Sequence, residues 1–301
     1  MATAQSTVGI FAPGSPVDPA RLAKGLEELK ARGFLVQMPF DPSAQYGQYE
    51  FGFACESVEK RLSTLVALLK DSQISFLLGA RGAYGTMDLL AHLPFKELDN
   101  VTKPLIGYSD ITALLVPLHG KTKIPCIHGP TLSKEFSEAK DNELARESVE
   151  MLLTLLSGKP LFVEQWCREI HPGTAQGKVL AGNLSVLVSL LGSPYDIDYQ
   201  GRILFIEDLG ESPYRVHRML RQLSLAGKFN KLAGLVIGSF SRVPHTHGPS
   251  LDDVFLSYAK ETNSFPIVTG FPFGHEGLNV PLLLGSNAEI IEGRVVLEQK
   301  I

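Results

Sequence analysis

Through its first half the chain alternates short, unbroken apolar runs with longer stretches whose apolar residues recur at helical spacing. Thr7-Val8-Gly9-Ile10-Phe11-Ala12 is the first such run and is closed by Pro13-Gly14. Asp18 then opens a stretch with Leu22, Leu26 and Leu29 on one face, ended by Gly33, and Phe34 to Phe40 is the next extended run. A helix from about Ser57 to Asp71 follows, with Val58, Leu62, Leu65 and Leu69 at helical spacing. The runs Ile74 to Leu78, Leu105-Ile106 and Ile124 to Ile127 continue the series. A strand with one wet face alternates apolar and polar residues, whereas a strand of continuous apolar residues must be covered on both faces. Helices between such strands supply that cover, which argues for a parallel sheet in an α/β domain.

The pattern changes between residues 158 and 177, where Gly158-Lys159-Pro160, His171-Pro172-Gly173 and the single tryptophan, Trp166, fall without a visible period. This stretch is expected to be a linker between an N-terminal α/β domain (1–157) and a C-terminal domain (178–301). Beyond it, Gly182-Asn183-Leu184 opens an apolar helix, and Ile203 to Ile206 and Leu232 to Ile237 read as strands around a helix from about Pro213 to Ala226. Ile290 to Val296 reads as a closing hairpin that turns at Glu292-Gly293.

At 301 residues, 44% of them hydrophobic and 20% charged, the chain has the apolar material for packed cores and is not a disordered protein. Lys and Arg total 28 against 32 Asp and Glu, so no basic surplus marks a nucleic-acid partner. No apolar run approaches the ~20 residues that cross a bilayer, and Met1 to Ser6 open no secretory signal. Three cysteines (Cys55, Cys126, Cys167) without a CxxC pair argue against a disulfide framework and a cysteine zinc site. A cytoplasmic protein with no membrane partner is expected.

Several segments carry candidate chemistry. Ile106-Gly107-Tyr108-Ser109-Asp110-Ile111 runs an apolar strand through Gly-x-Ser straight into an apolar helix, Ile111 to Leu118. A serine at such a turn has its hydroxyl pushed out of the sheet, and the next amide, at a helix N-terminus, faces an oxyanion formed there. The second glycine of G-x-S-x-G is absent, so a plain helix cap by Ser109 and Asp110 stands beside the nucleophile as a reading. Gly79-Ala80-Arg81-Gly82-Ala83-Tyr84-Gly85 fits neither a dinucleotide fingerprint nor a P-loop, and its three glycines allow either a close ligand approach or a simple turn. Glu207-Asp208 ends one strand, while His275 and His128-Gly129-Pro130 follow or end others. His245-Thr246-His247 has poor spacing for a metal in a Pro/Gly/Ser-rich loop, so no metal is expected. Each histidine alone reads first as a structural or surface residue.

Together the segments resemble the LD-carboxypeptidase family, the serine peptidases that include muramoyltetrapeptide carboxypeptidases and microcin-immunity peptidases. The resemblance rests on Arg81-Gly82-Ala83-Tyr84-Gly85, Gly107-Tyr108-Ser109-Asp110-Ile111-Thr112 and His128-Gly129-Pro130. It continues through Ala181-Gly182-Asn183-Leu184-Ser185, Ile206-Glu207-Asp208, Pro213-Tyr214-Arg215 and Gly274-His275, in family order from about residue 7 to 297. It implies Ser109 as nucleophile, Glu207 as orienting acid and His275 as general base, with the amides of Gly82 and Asp110 as oxyanion hole. A Rossmann-like N-terminal domain would carry the serine, and a smaller α/β domain with a mixed, barrel-like sheet would carry the acid and base.

The implied reaction removes terminal D-alanine from murein tetrapeptides in cell-wall recycling, without metal or cofactor, by a homodimer. Arg81, Tyr84 and His128 are candidate substrate contacts. The third peptide residue, lysine or diaminopimelate, stays open. The family commonly has double glycines where this chain has Gly82-Ala83 and Ala181-Gly182. Two alternatives are a microcin-immunity-type peptidase acting on aminoacyl nucleotides, for which Trp166 lies near the relevant loop, and a non-enzymatic small-ligand binder.

Overall fold

The computed structural model describes residues 5–41, 53–245, 247–262 and 264–301. The apolar runs become strands β1 (Thr7–Phe11), β2 (Leu35–Gln37), β3 (Ile74–Gly79), β4 (Leu105–Gly107) and β5 (Cys126–His128). They hydrogen-bond in the order β2-β1-β3-β4-β5, all parallel. Strand order reverses between β1 and β3, which in open parallel sheets leaves a crevice at the carboxyl ends of the strands.

Each long helix of this half starts where the chemistry of its first residue stops an extended run. Asp18 caps α1 (Pro19–Ala31) by accepting from the Arg21 amide at 2.9 Å. Ser57 caps α2 (Val58–Lys70) through the Lys60 amide, and Asn142 caps α5 (Glu143–Leu156) through those of Leu144 and Ala145. The short α3 (Phe95–Leu98) and α4 (Thr112–Lys121) lie between them. Every residue of α4 from Thr112 to Leu118 is buried. A helix apolar on all sides needs cover on all sides, and α4 has it because it packs on the first sheet, on a strand of the second, and on a helix of the second half.

The second sheet contains β6 (Leu161–Trp166), β7 (Arg168–His171), β8 (Thr174–Asn183), β9 (Arg202–Leu209), β10 (Gly234–Ser241), β11 (Ile267–Thr269), β13 (Asn287–Ile291) and β14 (Arg294–Gln299). Its order is β6-β14-β13-β8-β9-β10-β11-β7, a curled mixed half-barrel whose centre, β8 to β11, is parallel. The expected hairpin turns at Glu292 and Gly293, both with positive φ (48° and 77°), the geometry that suits a two-residue turn. Helices α6 (Leu184–Ser189), α7 (Pro213–Leu225) and α8 (Leu251–Thr262) connect its strands.

The stretch 158–177, expected as a linker, holds β6, β7 and the start of β8. Strands β6 and β7 form the two edges of the sheet. On β6 the outward residues include the exposed Phe162 and Trp166 opposite the buried Leu161 and Val163, so apolar side chains occupy both faces and hide the period of two.

The halves also exchange structure. Strand β12 (Leu282–Leu283) leaves the C-terminal half and adds antiparallel to β5 at the edge of the first sheet. At the end of β8 the Asn183 amide donates to Thr112 Oγ1 of α4 at 3.1 Å. A Cβ on the neighbouring Gly182 would lie 2.5 Å from Thr112 Cγ2. Gly182→Ala should therefore over-pack this junction and destabilise the protein by ~1–3 kcal/mol. Chemical denaturation measures it, and an unchanged midpoint would mean the junction yields freely.

Candidate active site

A cavity of about 450 Å³ opens where chain leaves the carboxyl ends of both sheets, and its walls include Gly82, Ser109, Leu209, Arg242 and His275. Larger cavities of about 640 and 570 Å³ lie elsewhere, beside His119 and beside Asn100. Neither includes the strand-end residues on which the candidate chemistry converges.

Ser109 leaves β4 with φ +62°, a left-handed conformation rare for a residue with a Cβ. The hydroxyl is not a helix cap, since no side chain caps the helical turn Ser109–Ile111 or α4. It lies 3.1 Å from His275 Nε2, and His275 Nδ1 lies 2.5 Å from Glu207 Oε2. Residues 98 and 68 positions apart in the chain are thus joined in one line, the serine from the first sheet, the acid and imidazole from the second. Glu207 is completely buried, and its other oxygen accepts from Asn183 Nδ2 at 3.3 Å.

The loop after β11 brings the imidazole to the acid through Gly274. Its φ is +112°, and a Cβ there would lie 2.4 Å from Ser239 Oγ and 2.9 Å from Glu207 Cβ. The His275 amide donates to that Ser239 hydroxyl at 3.0 Å. Burial acts to lower the imidazole pKa, but the hydrogen bond and charge of Glu207, with Glu135 and Asp208 adding at longer range, carry it above the ordinary value.

Asp208, next to Glu207 on β9, turns to the opposite side. Its carboxylate accepts from Leu209 N (2.8 Å), Asn183 Nδ2 (2.9 Å) and Ser185 N (2.8 Å), and burial pushes its pKa up to about 6. Asn183 therefore holds both acids. The sequence places it at the opening of an apolar helix, but nothing local marks it as their partner.

Gly82 backs directly onto Ser109: a Cβ would lie 2.7 Å from Ser109 Cβ and 3.2 Å from its Oγ. The Asp110 amide follows the serine in the first turn of the helix, where no intrahelical acceptor is available. Gly82 and Asp110 thus both lie beside Ser109. The Asp110 carboxylate turns away to accept from the Thr86 amide at 2.9 Å, and burial raises its pKa. Ala83 occupies φ +80°, so the alanine that replaces the family's glycine sits where glycine is least strained.

The expected ligand contacts separate. Arg81 lines the cavity while donating to the Pro16 carbonyl at 2.9 Å. Tyr84 is 59% exposed, edge-on to Phe53. His128 is fully buried between Tyr108 and Phe273, with neither ring nitrogen partnered among the described residues, and burial pushes its pKa down to about 4. Neither Tyr84 nor His128 is among the residues lining the cavity. Three cations not anticipated do line it: Arg21, Lys134 and Arg242. Glu138 lies 3.3 Å from Arg21 and 4.0 Å from Lys134. Arg242, exposed at φ +50° after β10, has no hydrogen-bond or ionic partner among the described residues.

Trp166 lies on β6 with Arg294 against its ring and is not among the lining residues. Among the described residues no group of three His, Cys, Asp or Glu side chains could hold a metal ion. The rings of His245 and His247 lie 6.2 Å apart, and the intervening Thr246 is outside the described residues.

Comparison with known proteins supplies the family. Residues 8–129 match the LD-carboxypeptidase N-terminal domain and residues 176–290 the LD-carboxypeptidase C-terminal domain. A probable murein peptide carboxypeptidase of Bacillus subtilis is 32% identical over 94% of this chain and 88% of its own. The crystal structure of muramoyltetrapeptide carboxypeptidase from Oxalobacter formigenes superposes with a TM-score of 0.86 at 28% identity, over 98% of this chain and 99% of that one. MccF bound to glutamyl sulfamoyl guanosine shares the fold, with a TM-score of 0.87 at 22% identity over 99% of this chain and 97% of that one.

The opposite orientations of the adjacent acids make a direct prediction. Glu207→Gln should move the His275 imidazole titration, followed by NMR, down by about one pH unit or more, because burial is no longer opposed by a contacting carboxylate. Asp208→Asn should move it much less. The reverse order would mean that Asp208 is the partner in solution.

Proposed function

This chain belongs to the LD-carboxypeptidase family, and we propose that it hydrolyses the L,D peptide bond that releases terminal D-alanine from murein tetrapeptides. The observation that carries the proposal is the contact line Glu207–His275–Ser109, 2.5 and 3.1 Å long. A small-ligand binder has no use for such a line. A hydrolase does.

In this reading the Ser109 hydroxyl gives its proton to His275 Nε2 as Oγ attacks the scissile carbonyl. The raised basicity of His275 favours that transfer, and Glu207, accepting from Nδ1–H, fixes the tautomer and stabilises the imidazolium. The amides of Gly82 and Asp110 receive the oxyanion. His275 then protonates the leaving amine of D-alanine, and a water molecule, deprotonated by the same imidazole, releases the peptide from Ser109. The left-handed backbone at Ser109 holds the hydroxyl clear of the sheet, so little reorganisation is needed at the moment of attack.

A carboxypeptidase must also fix the terminal carboxylate. Of the cavity's cations, Arg81 is bonded to a carbonyl, and Arg21 and Lys134 lie near Glu138. Arg242 has no partner among the described residues, so we assign it the carboxylate. Free thiols at Cys55, Cys126 and Cys167 fit a reducing, cytoplasmic compartment. Among the described residues no helix is long and apolar enough to cross a membrane. A homodimer is proposed from the family resemblance.

Ser109→Ala should lower kcat by ~10⁴ to 10⁶ in a folded protein. Retention of a tenth of the wild-type rate would return Ser109 to a structural role. The D-alanyl tetrapeptide should be cleaved and its L-alanyl epimer spared, because anchoring both the terminal carboxylate and the scissile carbonyl leaves one direction for the methyl group. A higher kcat/KM on an aminoacyl sulfamoyl nucleotide would favour the microcin-immunity branch and leave the serine mechanism intact.

The carboxylate assignment has its own test. Wild-type enzyme should prefer the free-acid peptide over the same peptide ending in D-alaninamide, and Arg242→Gln should abolish that preference, chiefly through KM. A variant that still prefers the acid would assign the carboxylate to another group.

A further inference from the structure

One buried carboxylate near the base takes no part in the steps above. Glu135 is 3% exposed and lies in the π-helical turn Leu132–Phe136 that follows β5. Such turns occur often at functional sites, but here the bonding pattern carries the argument. Three donors converge on the carboxylate. The Thr131 amide and hydroxyl donate to Oε2 at 2.8 and 3.5 Å, Asn279 Nδ2 donates to Oε1 at 3.3 Å, and the buried Tyr108 phenol interacts with the same group.

Asn279 is 1% exposed, and its Oδ1 accepts from the Gly274 amide at 3.0 Å. An asparagine amide has two ends, and its neighbours decide which way round it sits. With an acceptor-only carboxylate on one side and an N–H on the other, only one orientation satisfies both. The Asn279 backbone is tied as well, since its own amide donates to Ser148 Oγ on α5 at 2.9 Å.

Both chains of contact end one residue before a reacting group. Gly274 precedes His275, and Tyr108 precedes Ser109. The rings of Tyr108 and His275 also meet edge-on, with centroids 4.9 Å apart. We propose that Glu135 is a positioning residue for the hydrolysis: through Asn279 it holds the backbone that carries the base, and through Tyr108 it holds the backbone that carries the nucleophile. This rests on the roles proposed above for Ser109 and His275. The titratable groups facing the imidazole are Glu207 in contact, Glu135 and Asp208 beyond it, and the buried His128 behind Tyr108. Lys134 is the cation whose charge acts on Glu135.

The test compares full-length wild-type enzyme with Glu135→Gln, Asn279→Ala and the double variant on the D-alanyl tetrapeptide. A glutamine presents an NH₂ group to three donors and so cannot satisfy them all. Each single variant should lose on the order of ten- to a hundredfold in kcat with KM nearly unchanged, as expected for misplacement of the reacting groups. The double variant should be little worse than Glu135→Gln alone, because Asn279 acts on a route that Glu135 already governs. The His275 imidazole titration should move to lower pH in Glu135→Gln, since a negative charge facing the ring is lost.

Unchanged kcat per folded molecule together with an unmoved titration, even with a lowered melting temperature, would make Glu135 purely structural and overturn the proposal. Should wild-type protein cleave no L,D peptide, the hydrolase assignment fails separately. The NMR titration then decides for Glu135 by itself, a shift supporting its action on His275 and no shift overturning it.

Discussion

A hydrogen bond of 3.1 Å joins a serine at the end of one sheet to a histidine carried by another. A contact of that kind weakens steeply within a few tenths of an ångström, so the two sheets have to be fixed against each other more tightly than ordinary surface packing allows. The architecture supplies this in three places. Helix α4, which begins three residues after Ser109, is buried between the sheets. Gly182 and Asn183 meet Thr112 at its first turn, the glycine with no space for a Cβ. Strand β12 adds directly to the edge of the first sheet a few residues after the loop that carries His275. A two-layer cleft that would hinge if joined only by a flexible linker is here interlocked by strand exchange.

Three buried carboxylates surround the line of contacts, and each is satisfied differently. Glu207 meets the imidazole and one amide group. Asp208 meets two backbone amides and the same asparagine, and Glu135 meets a backbone amide, an amide side chain and a phenol. Burying a carboxylate without partners costs several kcal/mol, so such a cluster persists only where donors converge on every member. Their summed charge acts on His275 in one sense, toward a stronger base. The buried His128 responds in the other sense: desolvation holds it neutral near the same charges. Two histidines a ring apart thus take different protonation behaviour from their surroundings alone.

Backbone strain is concentrated in the same region. Ser109, Ala83 and Arg242 are non-glycine residues with positive φ, and all three line the cavity. Left-handed conformations cost ~1–3 kcal/mol each where a Cβ is present. They persist here because the sheets on either side fix both ends of each loop. The hydroxyl at Ser109 faces the cavity because of that strain, and at Arg242 the same conformation sends a guanidinium off the end of β10.

Much of this was legible in the residues. Continuous apolar runs such as Ile74 to Leu78 can exist only as strands covered on both faces, and Asp18, Ser57 and Asn183 mark helix starts because their side chains satisfy free amides. The strand-to-helix turn at Ser109 was visible for the same local reason. Residues 158–177 show no period in the sequence because an edge strand with Phe162 and Trp166 on its wet face carries none. Local sequence left Ser109 open between cap and nucleophile, and Glu207 open against Asp208, since consecutive strand residues differ only in the face they happen to present. The cationic lining from Arg21, Lys134 and Arg242, the exclusion of His128 from the cavity, and the bond from Glu135 through Asn279 to Gly274 depend on segments more than a hundred residues apart. Local propensity is a property of neighbours along the chain and can be read there. Which side chains face one another across a cleft is set by how two sheets pack, and only the folded molecule decides it.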